Sequence, residues 1–401
     1  MNKLFSIVIP TRNRQQYCIE AGASILKEID ESCELVVQDN STDDTLRQHF
    51  VNLNDSRVIY NYNPTPLSFV DNFEEALQLS NGTFFCILGD DDSVTKNIMQ
   101  IVHWMRINNI DSVASTRVVD FIWPNSTIEK YANGELTIPK YGGKEKAVNP
   151  KLQLLELLRG GFLSYQTFEL PRTYHGIIRR SCMNEVKRLG GRYFGGLTPD
   201  IYSTVALSCI VKKHFIIDFP FSIAGACPAS ATAMATVGGH SGKLTDAPHF
   251  RNRGTYQWEV DIPKYYSVET IWAESGIKAL KDLRQQDLLS HFNKYRLYIY
   301  AIVINRKYIF DLSFKETISL YKPLQITCLE HIIKLLTETL RSVIRVAKKR
   351  LKKQNFDSVD EVFSNVYSLE EAKDLTASMV KNSYEMEVCT YAEPQENTRT
   401  S

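Results

Sequence analysis

Three consecutive carboxylates carry the clearest chemical signal in the sequence. Asp90, Asp91 and Asp92 follow an apolar run at 83–88, which is rich in aromatic and branched residues and is typical of a buried strand. Adjacent acids repel one another, so we expect them in the loop after that strand, where open α/β sheets bind ligands. Their oxygens suit Mg²⁺ or Mn²⁺, which often bridge one or two carboxylates and substrate phosphates. An acidic turn that caps the next helix would have the same composition, so both interpretations stay open.

A second candidate for chemistry is Asp200, which follows a glycine-rich stretch at 191–198 and Pro199. Glycines let the backbone approach a ligand closely, and a helix that starts near Asp200 would turn its amino terminus towards that ligand. A carboxylate in this position could act as a general base for an incoming hydroxyl group. It could also be only a negative charge at a helix start, which is favourable in itself.

Histidines and arginines in the second half of the chain are weaker candidates. His175 could contact an acceptor or a phosphate, although a buried, hydrogen-bonded histidine explains the residue equally well. His240 and His249 could complete a metal shell or contact a diphosphate, as could Arg251 and Arg253. The last four of these residues lie in a long irregular segment at 223–255. Such a segment is typical of a functional lid or of disorder.

The elements that must position these groups alternate between strand and helix. Predicted strands at 5–9, 34–38, 57–62 and 83–88 enclose predicted helices that include 15–29 and 68–79. This alternation predicts a mostly parallel sheet with right-handed crossovers. The loops after the first, second and fourth strands should therefore meet at one edge of the sheet. We expect that edge to bring together three groups that are distant in sequence: residues 10–14, Asp39 and the acidic triplet.

Composition excludes several classes of protein. The formal net charge of the 401 residues is +1, so no chain-wide field recruits nucleic acid. The eight cysteines form no Cys-x-x-Cys pair, which indicates small core residues in a reducing compartment. No apolar run reaches the roughly 18–20 residues of a membrane span, and a strand that begins at Phe5 leaves no room for a signal peptide. We expect a cytoplasmic protein.

Three segments together resemble the successive signatures of glycosyltransferase family 2. They are Ser-Ile-Val-Ile-Pro-Thr-Arg-Asn at 6–13, Val-Val-Gln-Asp-Asn-Ser-Thr-Asp-Asp-Thr at 36–45 and Leu-Gly-Asp-Asp-Asp at 88–92. The order and spacing of the three are far more specific than any one of them, and they cover about the first hundred residues. The resemblance implies a GT-A fold, which is Rossmann-like, with a nucleotide-sugar donor, Mn²⁺ or Mg²⁺ as cofactor, and an inverting mechanism.

The resemblance also implies roles for individual residues. The donor site would comprise Pro10, Thr11, Arg12, Asp39, Asn72, Asp90 and Asp91. Asp39 would hold the nucleoside base and Asp90 the ribose, while Asp92 would coordinate the metal on the diphosphate. In similar enzymes the catalytic base is an Asp or Glu at a helix start in this part of the chain, which points to Asp200.

Two departures from the family pattern concern the donor. The second signature commonly reads Asp-Asp-Gly-Ser, whereas this chain has Gln38 before Asp39 and Asn40 after it. The helix before the fourth strand often has Arg ahead of an Asn, whereas here Asp71 precedes Asn72. Both changes leave the base and the sugar open. We expect a UDP-sugar rather than a GDP- or dTDP-sugar.

The C-terminal third contains a basic amphipathic helix. Apolar residues recur at helical spacing over 329–351, with Lys and Arg largely on other faces. Such a helix over 329–353 could lie on the inner face of an anionic membrane. It could equally pack on the catalytic domain and expose its basic face to water.

These observations predict an α/β protein with a mostly parallel GT-A sheet flanked by helices and a helical C-terminal extension. We expect a catalytic domain at 1–222, a lid or acceptor-loop region at 223–264 and a helical extension at 265–356. A polar, flexible tail with a short helix at 369–381 would occupy 357–401. The predicted function is sugar transfer to a hydroxyl of a glycan or lipid-linked acceptor in surface polysaccharide biosynthesis.

Two rival interpretations remain. A nucleotidyltransferase that forms sugar nucleotides would place a glycine-rich phosphate loop after the first strand, and residues 9–14 contain no glycine. A catalytically silent nucleotide-sugar-binding protein of the same fold is the other rival. The presence of Asp39, Asp90 and Asp92 argues against it.

Overall fold

The computed structural model describes residues 3–125, 132–228, 241–351 and 360–379, and for 346–351 the backbone alone. Its strands are β1 (Phe5–Thr11), β2 (Cys33–Asp39), β3 (Val58–Tyr62), β4 (Phe84–Ile87), β5 (Ser93–Val94), β6 (Ser112–Ser115), β7 (Val119–Ile122), β8 (Glu135–Ile138), β9 (Glu145–Val148), β10 (Gly176–Arg179), β11 (His214–Ile217), β12 (Ser222–Ala226), β13 (Ser241–Gly242), β14 (Tyr266–Ser267) and β15 (Glu361–Ser364). Its helices are α1 (Gln15–Leu26), α2 (Thr45–Asn52), α3 (Phe69–Leu79), α4 (Ile98–Ile107), α5 (Pro150–Arg159), α6 (Arg180–Gly190), α7 (Pro199–Ser208), α8 (Val268–Asp282), α9 (Gln286–Leu289), α10 (Lys294–Ser319), α11 (Cys328–Leu351) and α12 (Leu369–Met379).

The main sheet has eight strands in the order β3-β2-β1-β4-β10-β6-β11-β9. Strands β3, β2, β1 and β4 are parallel neighbours, and β10 and β9 run against them. The predicted α/β class with a mostly parallel sheet is confirmed. Residues 5 and 7–9 of β1 are completely buried, because helices cover both faces of a central parallel strand. The register pairs Thr11 with Asp39, so the ends of β1 and β2 meet at one edge, as predicted.

A second sheet of five strands, in the order β15-β8-β7-β12-β5, lies beside this edge. The chain leaves the main sheet after β6 and enters the second sheet as β7. Likewise, residues 223–226 belong to β12 rather than to an irregular segment, because Ile223 pairs with both Val119 and Ser93. The short strand β5 directly follows the acidic triplet. The second sheet therefore holds the triplet from its C-terminal side.

A helical layer closes the structure behind the glycine-rich loop. Helix α8 packs along α7, and the Ser275 hydroxyl accepts hydrogen bonds from the backbone N–H groups of Leu197 and Thr198, at 3.1 and 3.0 Å. This contact fixes the residues that lead into α7. Helices α10 and α11 follow as a pair that pack against each other. Among the helices that the structure describes, none has the length and hydropathy required to cross a membrane.

The stretch 360–379 folds onto the rest of the protein, whereas the sequence predicted a flexible tail from 357 onwards. Strand β15 pairs with β8, and Asp360 receives two hydrogen bonds of 2.6 Å from Arg117. The short helix expected at 369–381 is α12, and Lys373 binds the Ser24 carbonyl oxygen of α1 at 2.9 Å. Val366 and Leu369 are buried in the core of the second sheet, which explains why this polar stretch is ordered.

We predict that Leu369→Ala lowers the free energy of unfolding by about 2–4 kcal/mol, the usual cost of a cavity in a core. The side chain is 1% exposed and packs among residues of the second sheet. Tyr367→Ala is the matched control, because Tyr367 is 57% exposed on the same segment. Chemical denaturation measures both variants. Equal stability of the two would show that 360–379 is not docked as described.

Candidate active site

The loop after β1 and the acidic triplet meet at the carboxyl edge of the main sheet. The Thr11 hydroxyl donates to Asp90 Oδ2 at 2.6 Å. The Arg14 guanidinium lies 2.8 Å from Asp90 Oδ1 and 3.4 Å from Asp91 Oδ1. Pro10, the residue before Thr11, pairs with Gln38 in the register of β1 and β2. The loops after β1 and β4 therefore lie close together, as predicted.

Asp39 lies at the same edge, completely buried at the end of β2. Its Oδ1 accepts the backbone N–H of Ser41 and its Oδ2 accepts the Tyr60 hydroxyl, both at 2.8 Å. Burial and the Asp39 carboxylate raise the pKa of Tyr60, so this hydroxyl remains a donor. An ionised carboxylate has about four acceptor positions. One acceptor position on each Asp39 oxygen is therefore not used by these two hydrogen bonds.

Arg12 and Asn40 fix the loops on either side of Asp39. The Arg12 guanidinium donates to Asn40 Oδ1 at 2.9 Å. The Asn40 amide in turn donates to the carbonyl oxygens of Asn63 and Thr65, each at 2.7 Å. Burial and the neighbouring Arg251 lower the pKa of Arg12. Arg251, in the segment between β13 and β14, therefore adds a second positive charge beside the loop after β1.

Helix α3 contributes Asn72 and the unusual Asp71. The Asn72 amide donates to the Thr11 carbonyl oxygen at 3.2 Å, while its buried Oδ1 has no hydrogen-bond partner in the described part of the chain. Asp71 accepts a hydrogen bond from Arg192 at 2.6 Å and lies 3.6 Å from Arg253. Where the family pattern often has an arginine, this chain has a carboxylate that holds two arginines from later loops.

Asp90 and Asp91 are both buried, and burial dominates their protonation. It raises the pKa of Asp90 even though Arg14 and Thr11 act in the opposite direction. Burial and the Asp92 charge raise the pKa of Asp91 to about 7. The Asp91 side chain also accepts the Cys227 N–H at 3.0 Å, and its carbonyl oxygen accepts the Trp123 indole N–H at 3.0 Å. These contacts tie Asp91 to the second sheet.

Asp92 is the most completely enclosed member of the triplet, with 1% of its surface exposed. Its Oδ2 accepts the Gly89 N–H at 2.6 Å and the Tyr174 hydroxyl at 2.7 Å, and its Oδ1 accepts the Gly225 N–H at 2.8 Å. His175 Nε2 lies 3.2 Å from Oδ2. Burial opposes ionisation of Asp92, but His175, Tyr174 and the Gly225 N–H outweigh it and lower the pKa.

These partners determine whether a divalent cation can bind to the three carboxylates. Among the residues that the structure describes, no group of three or more His, Cys, Asp or Glu side chains is placed to hold a metal ion. Protein donors and cations already surround the three carboxylates: Arg14 on Asp90 and Asp91, and Tyr174 and His175 on Asp92. In this arrangement the residues do not fit a metal, and Asp92 would have to exchange protein partners to bind one.

The histidines predicted from the sequence have different positions. His175 has a positive φ of 54°, and its Nδ1 lies 3.0 Å from the Ser222 hydroxyl. Both of its ring nitrogens thus face protein groups, and its place is behind Asp92. His249 lies in a short 3₁₀ helix between the rings of Phe69 and Tyr266. His240 lies outside the described residues.

Asp200 sits in the first turn of α7, as predicted, and is partly exposed. Burial of its carboxyl group raises its pKa, and the Tyr165 hydroxyl lies 3.4 Å from Oδ2. One turn further along α7, Ser203 shares a hydrogen bond of 2.9 Å with Thr173. Thr173 directly precedes Tyr174, which binds Asp92. A single short segment therefore links the start of α7 to the acidic triplet.

Sequence reasoning did not single out four residues that complete this site: Arg14, Trp123, Tyr174 and Gly225. Arg14 was inside the predicted loop after β1, and Gly225 was inside a stretch noted for its small residues. Gly225 shows why a small residue is required, because a Cβ there would lie 1.7 Å from the Asp91 carbonyl oxygen. Trp123 and Tyr174 gave no signal in the sequence beyond their aromatic character.

Comparison with known families identifies the part of the chain that carries this site. Residues 6–160 match the family described as glycosyl transferase family 2. The matched part of the chain includes the loops after β1, β2 and β4, so the site lies in the region that is similar to this family. The relation predicted from the three signatures is confirmed.

Among individual relatives, the chain is 31% identical over 102 residues to WcaA of Escherichia coli (strain K12), which its name assigns to colanic acid biosynthesis as a glycosyl transferase. The match covers 25% of this chain and 37% of WcaA. The chain thus spans little more than a third of the length of that relative. The activity of this whole protein is therefore proposed and is not taken from WcaA.

Solved structures of TarS from S. aureus are also similar to this chain. The complex of TarS residues 1–349 with UDP has 18% identity and a TM-score of 0.40, over 56% of this chain and 61% of that one. The complex with UDP-GlcNAc has 14% identity and a TM-score of 0.49, over 91% and 98% of the two chains.

We predict that Gly225→Ala disrupts the site, because the added methyl group meets the Asp91 carbonyl oxygen and displaces the N–H that binds Asp92. The expected cost is about 1–3 kcal/mol or more of folding free energy, as for other overpacked positions. Gly242→Ala is the control, since the nearest atom there is 3.8 Å from the added Cβ. Thermal unfolding of the two variants tests this; equal melting temperatures would contradict the described contact.

Proposed function

We propose that this protein transfers a sugar from a nucleoside-diphosphate sugar to a hydroxyl of a glycan or lipid-linked acceptor in surface polysaccharide biosynthesis. The observation that carries the proposal is the convergence of three loops of a family 2 domain at one sheet edge. At that edge lie the buried Asp39 carboxylate, which would bind the nucleobase, and the Asn72 amide oxygen, which has no hydrogen-bond partner in the described part of the chain. Arginines including Arg12 and Arg251 lie beside them. The relation to WcaA supports the biosynthetic context.

The donor base would bind at Asp39. Each Asp39 oxygen already accepts one hydrogen bond, from Ser41 and Tyr60. A uracil ring presents a single imide N–H, which one remaining acceptor position can receive. A guanine edge presents two adjacent donors, which the coplanar oxygens of a carboxylate can also receive, so this geometry does not separate UDP from GDP and UDP is kept from the sequence prediction. The ribose 2′-hydroxyl, expected near Asp90, is the group that distinguishes UDP from dTDP.

The diphosphate would lie among arginines. Arg12 and Arg251 are close enough that Arg251 lowers the pKa of Arg12, and an anion between them would relieve this repulsion. Arg192 and Arg253 stand near the same loops, held by Asp71. Guanidinium groups bind phosphate oxygens through paired hydrogen bonds. Dependence on Mn²⁺ or Mg²⁺, implied by the family resemblance, remains a prediction.

Asp200 is the proposed general base of an inverting displacement. Direct attack on the anomeric carbon requires removal of a proton from the acceptor hydroxyl, and a carboxylate is adequate for this role. Burial raises the Asp200 pKa, which makes the ionised group a stronger base. Its position at the start of α7, across the segment 173–175 from the triplet, suits an acceptor that approaches from the side opposite the nucleotide.

The proposal includes a location. We expect the protein to act in the cytoplasm, at the inner face of a membrane, because lipid-linked acceptors are found there. The basic residues of 329–353 support contact with such a surface. The rivals, a nucleotidyltransferase and a silent binding protein, predict no sugar transfer, so the same assays distinguish them.

We predict that Asp39→Asn weakens UDP binding by roughly tenfold to hundredfold, the usual loss of a charge-assisted hydrogen bond. Asp43→Asn, in the exposed part of the same loop, should leave binding unchanged. A thermal-shift titration with UDP measures both, since a ligand at 100 times its Kd stabilises by about 2.7 kcal/mol. Equal UDP affinity of the two variants would remove Asp39 from the donor site. Repeating the titration with Mn²⁺ tests whether Asp92 exchanges protein partners for the ion that the family resemblance implies.

We predict that Asp200→Asn lowers sugar transfer by about 10²–10⁴-fold while UDP affinity stays within a few-fold, because only the basicity is lost. The assay is UDP release from UDP-GlcNAc, UDP-glucose and UDP-galactose with a lipid-linked acceptor extract. Glu169→Gln is the control, because Glu169 is paired with Lys146 at 2.9 Å and should have little effect. Unchanged transfer by the Asp200 variant, or loss of UDP binding in it, would refute the assignment.

A further inference from the structure

Along much of the α10–α11 helix pair, polar side chains are buried and apolar side chains are exposed. On α11 the completely or nearly buried positions are His331, Glu338 and Ser342 together with Leu335. The opposite side of the helix is apolar and 45–68% exposed: Leu329, Ile333, Leu336, Leu340, Val343 and Ile344. A helix of a globular protein normally buries its apolar stripe. In this pair the usual orientation is inverted.

Helix α10 extends the same apolar surface. Its exposed side chains, each 48–53% accessible, are Val303, Ile304, Tyr308, Phe310 and Phe314. Near its start α10 buries Leu297, Tyr298 and Ala301, and further along it buries Asn305, Ser313 and Thr317. We call the exposed side chains of both helices the apolar face.

Specific polar contacts hold the two helices in this orientation. His331 Nε2 lies 2.9 Å from the Thr317 carbonyl oxygen, and Nδ1 lies 3.3 Å from the Tyr295 hydroxyl. Within α11 itself, the buried Glu338 accepts a hydrogen bond of 2.7 Å from Arg345. Buried polar groups with partners are stable, whereas turning the helices around would leave these groups unpaired. The apolar face therefore needs a cover from outside the pair.

The charge of the pair indicates the chemistry of that cover. Residues 294–351 contain twelve Lys and Arg and four Asp and Glu, a formal charge of +8. The whole chain has a charge of +1, so the remainder is at −7. Exposed basic residues such as Lys334 and Arg341 flank the apolar side chains of α11. An amphipathic surface with apolar and basic side chains is the pattern of a helix that lies in the interface of an anionic bilayer.

We propose that the apolar face binds an anionic lipid membrane, with α10 and α11 lying in the plane of its surface. This inference rests on the proposed function for its biological sense, but the surface itself is independent of catalysis. Within the described helices none can span a bilayer, so the contact is with one leaflet. A second copy of the chain is the other occupant to test. It is disfavoured because two such pairs would bring +8 against +8.

The experiment is flotation of the full chain with vesicles of phosphatidylglycerol and phosphatidylcholine, and with vesicles of phosphatidylcholine alone. The test variant is Leu336→Ser/Leu340→Ser/Val343→Ser. The matched control is Val51→Ser/Ile107→Ser/Leu152→Ser, which changes three equally exposed apolar residues on α2, α4 and α5. Light scattering of each protein without lipid gives the oligomeric state, and the thermal shift with UDP reports the donor site.

The wild type and the control should float with the anionic vesicles, and at least about tenfold less with neutral ones. The test variant should lose anionic binding by at least about tenfold and keep its UDP shift. The proposal is overturned if the test variant floats like the wild type, or if the wild type is a dimer that ignores vesicles and becomes monomeric in the test variant. Vesicle binding without any UDP shift would support the apolar face and refute the proposed function instead.

Discussion

Burial of three adjacent carboxylates is the constraint on which this site depends. Asp90, Asp91 and Asp92 are 4%, 3% and 1% exposed, and an ionised group that is buried without partners costs several kcal/mol. Compensation comes from parts of the chain that are far apart: Arg14 after β1, Tyr174 before β10, and the backbone of β12. The antiparallel insertion of β10 and the second sheet deliver these donors, so both features of the fold serve the triplet.

Ion pairs also position the residues around the triplet. Asp71 of α3 is paired with Arg192 and Arg253. Positive charge beside α3 therefore comes from the loop after α6 and from the segment between β13 and β14. Such loops can adjust to a ligand more easily than a helix can. Asp200, the proposed base, is on α7, and the residues that lead into this helix are held by Ser275 of α8.

The sequence predicted the parts of the structure that depend on hydrophobic runs and connection rules. Strands β1, β2 and β4 were predictable because their branched residues are buried, and parallel crossovers then bring Thr11, Asp39 and Asp90 to one edge. The donors to Asp92 were not predictable, because a backbone N–H such as that of Gly225 has no side-chain signature. Periodicity identified the amphipathic helix at 329–351, but a pattern of residues does not say which face is buried. The inverted packing against α10 required the structure.

The central claim is that a nucleotide binds at the edge of the main sheet where β1 and β2 end. A crystal of the protein soaked with UDP measures this through difference electron density. We predict a uracil ring hydrogen-bonded to Asp39 and a diphosphate beside Arg12 and Arg251, at the edge where β1 and β2 end. Density for UDP at another place, with none beside Asp39, would contradict the central claim.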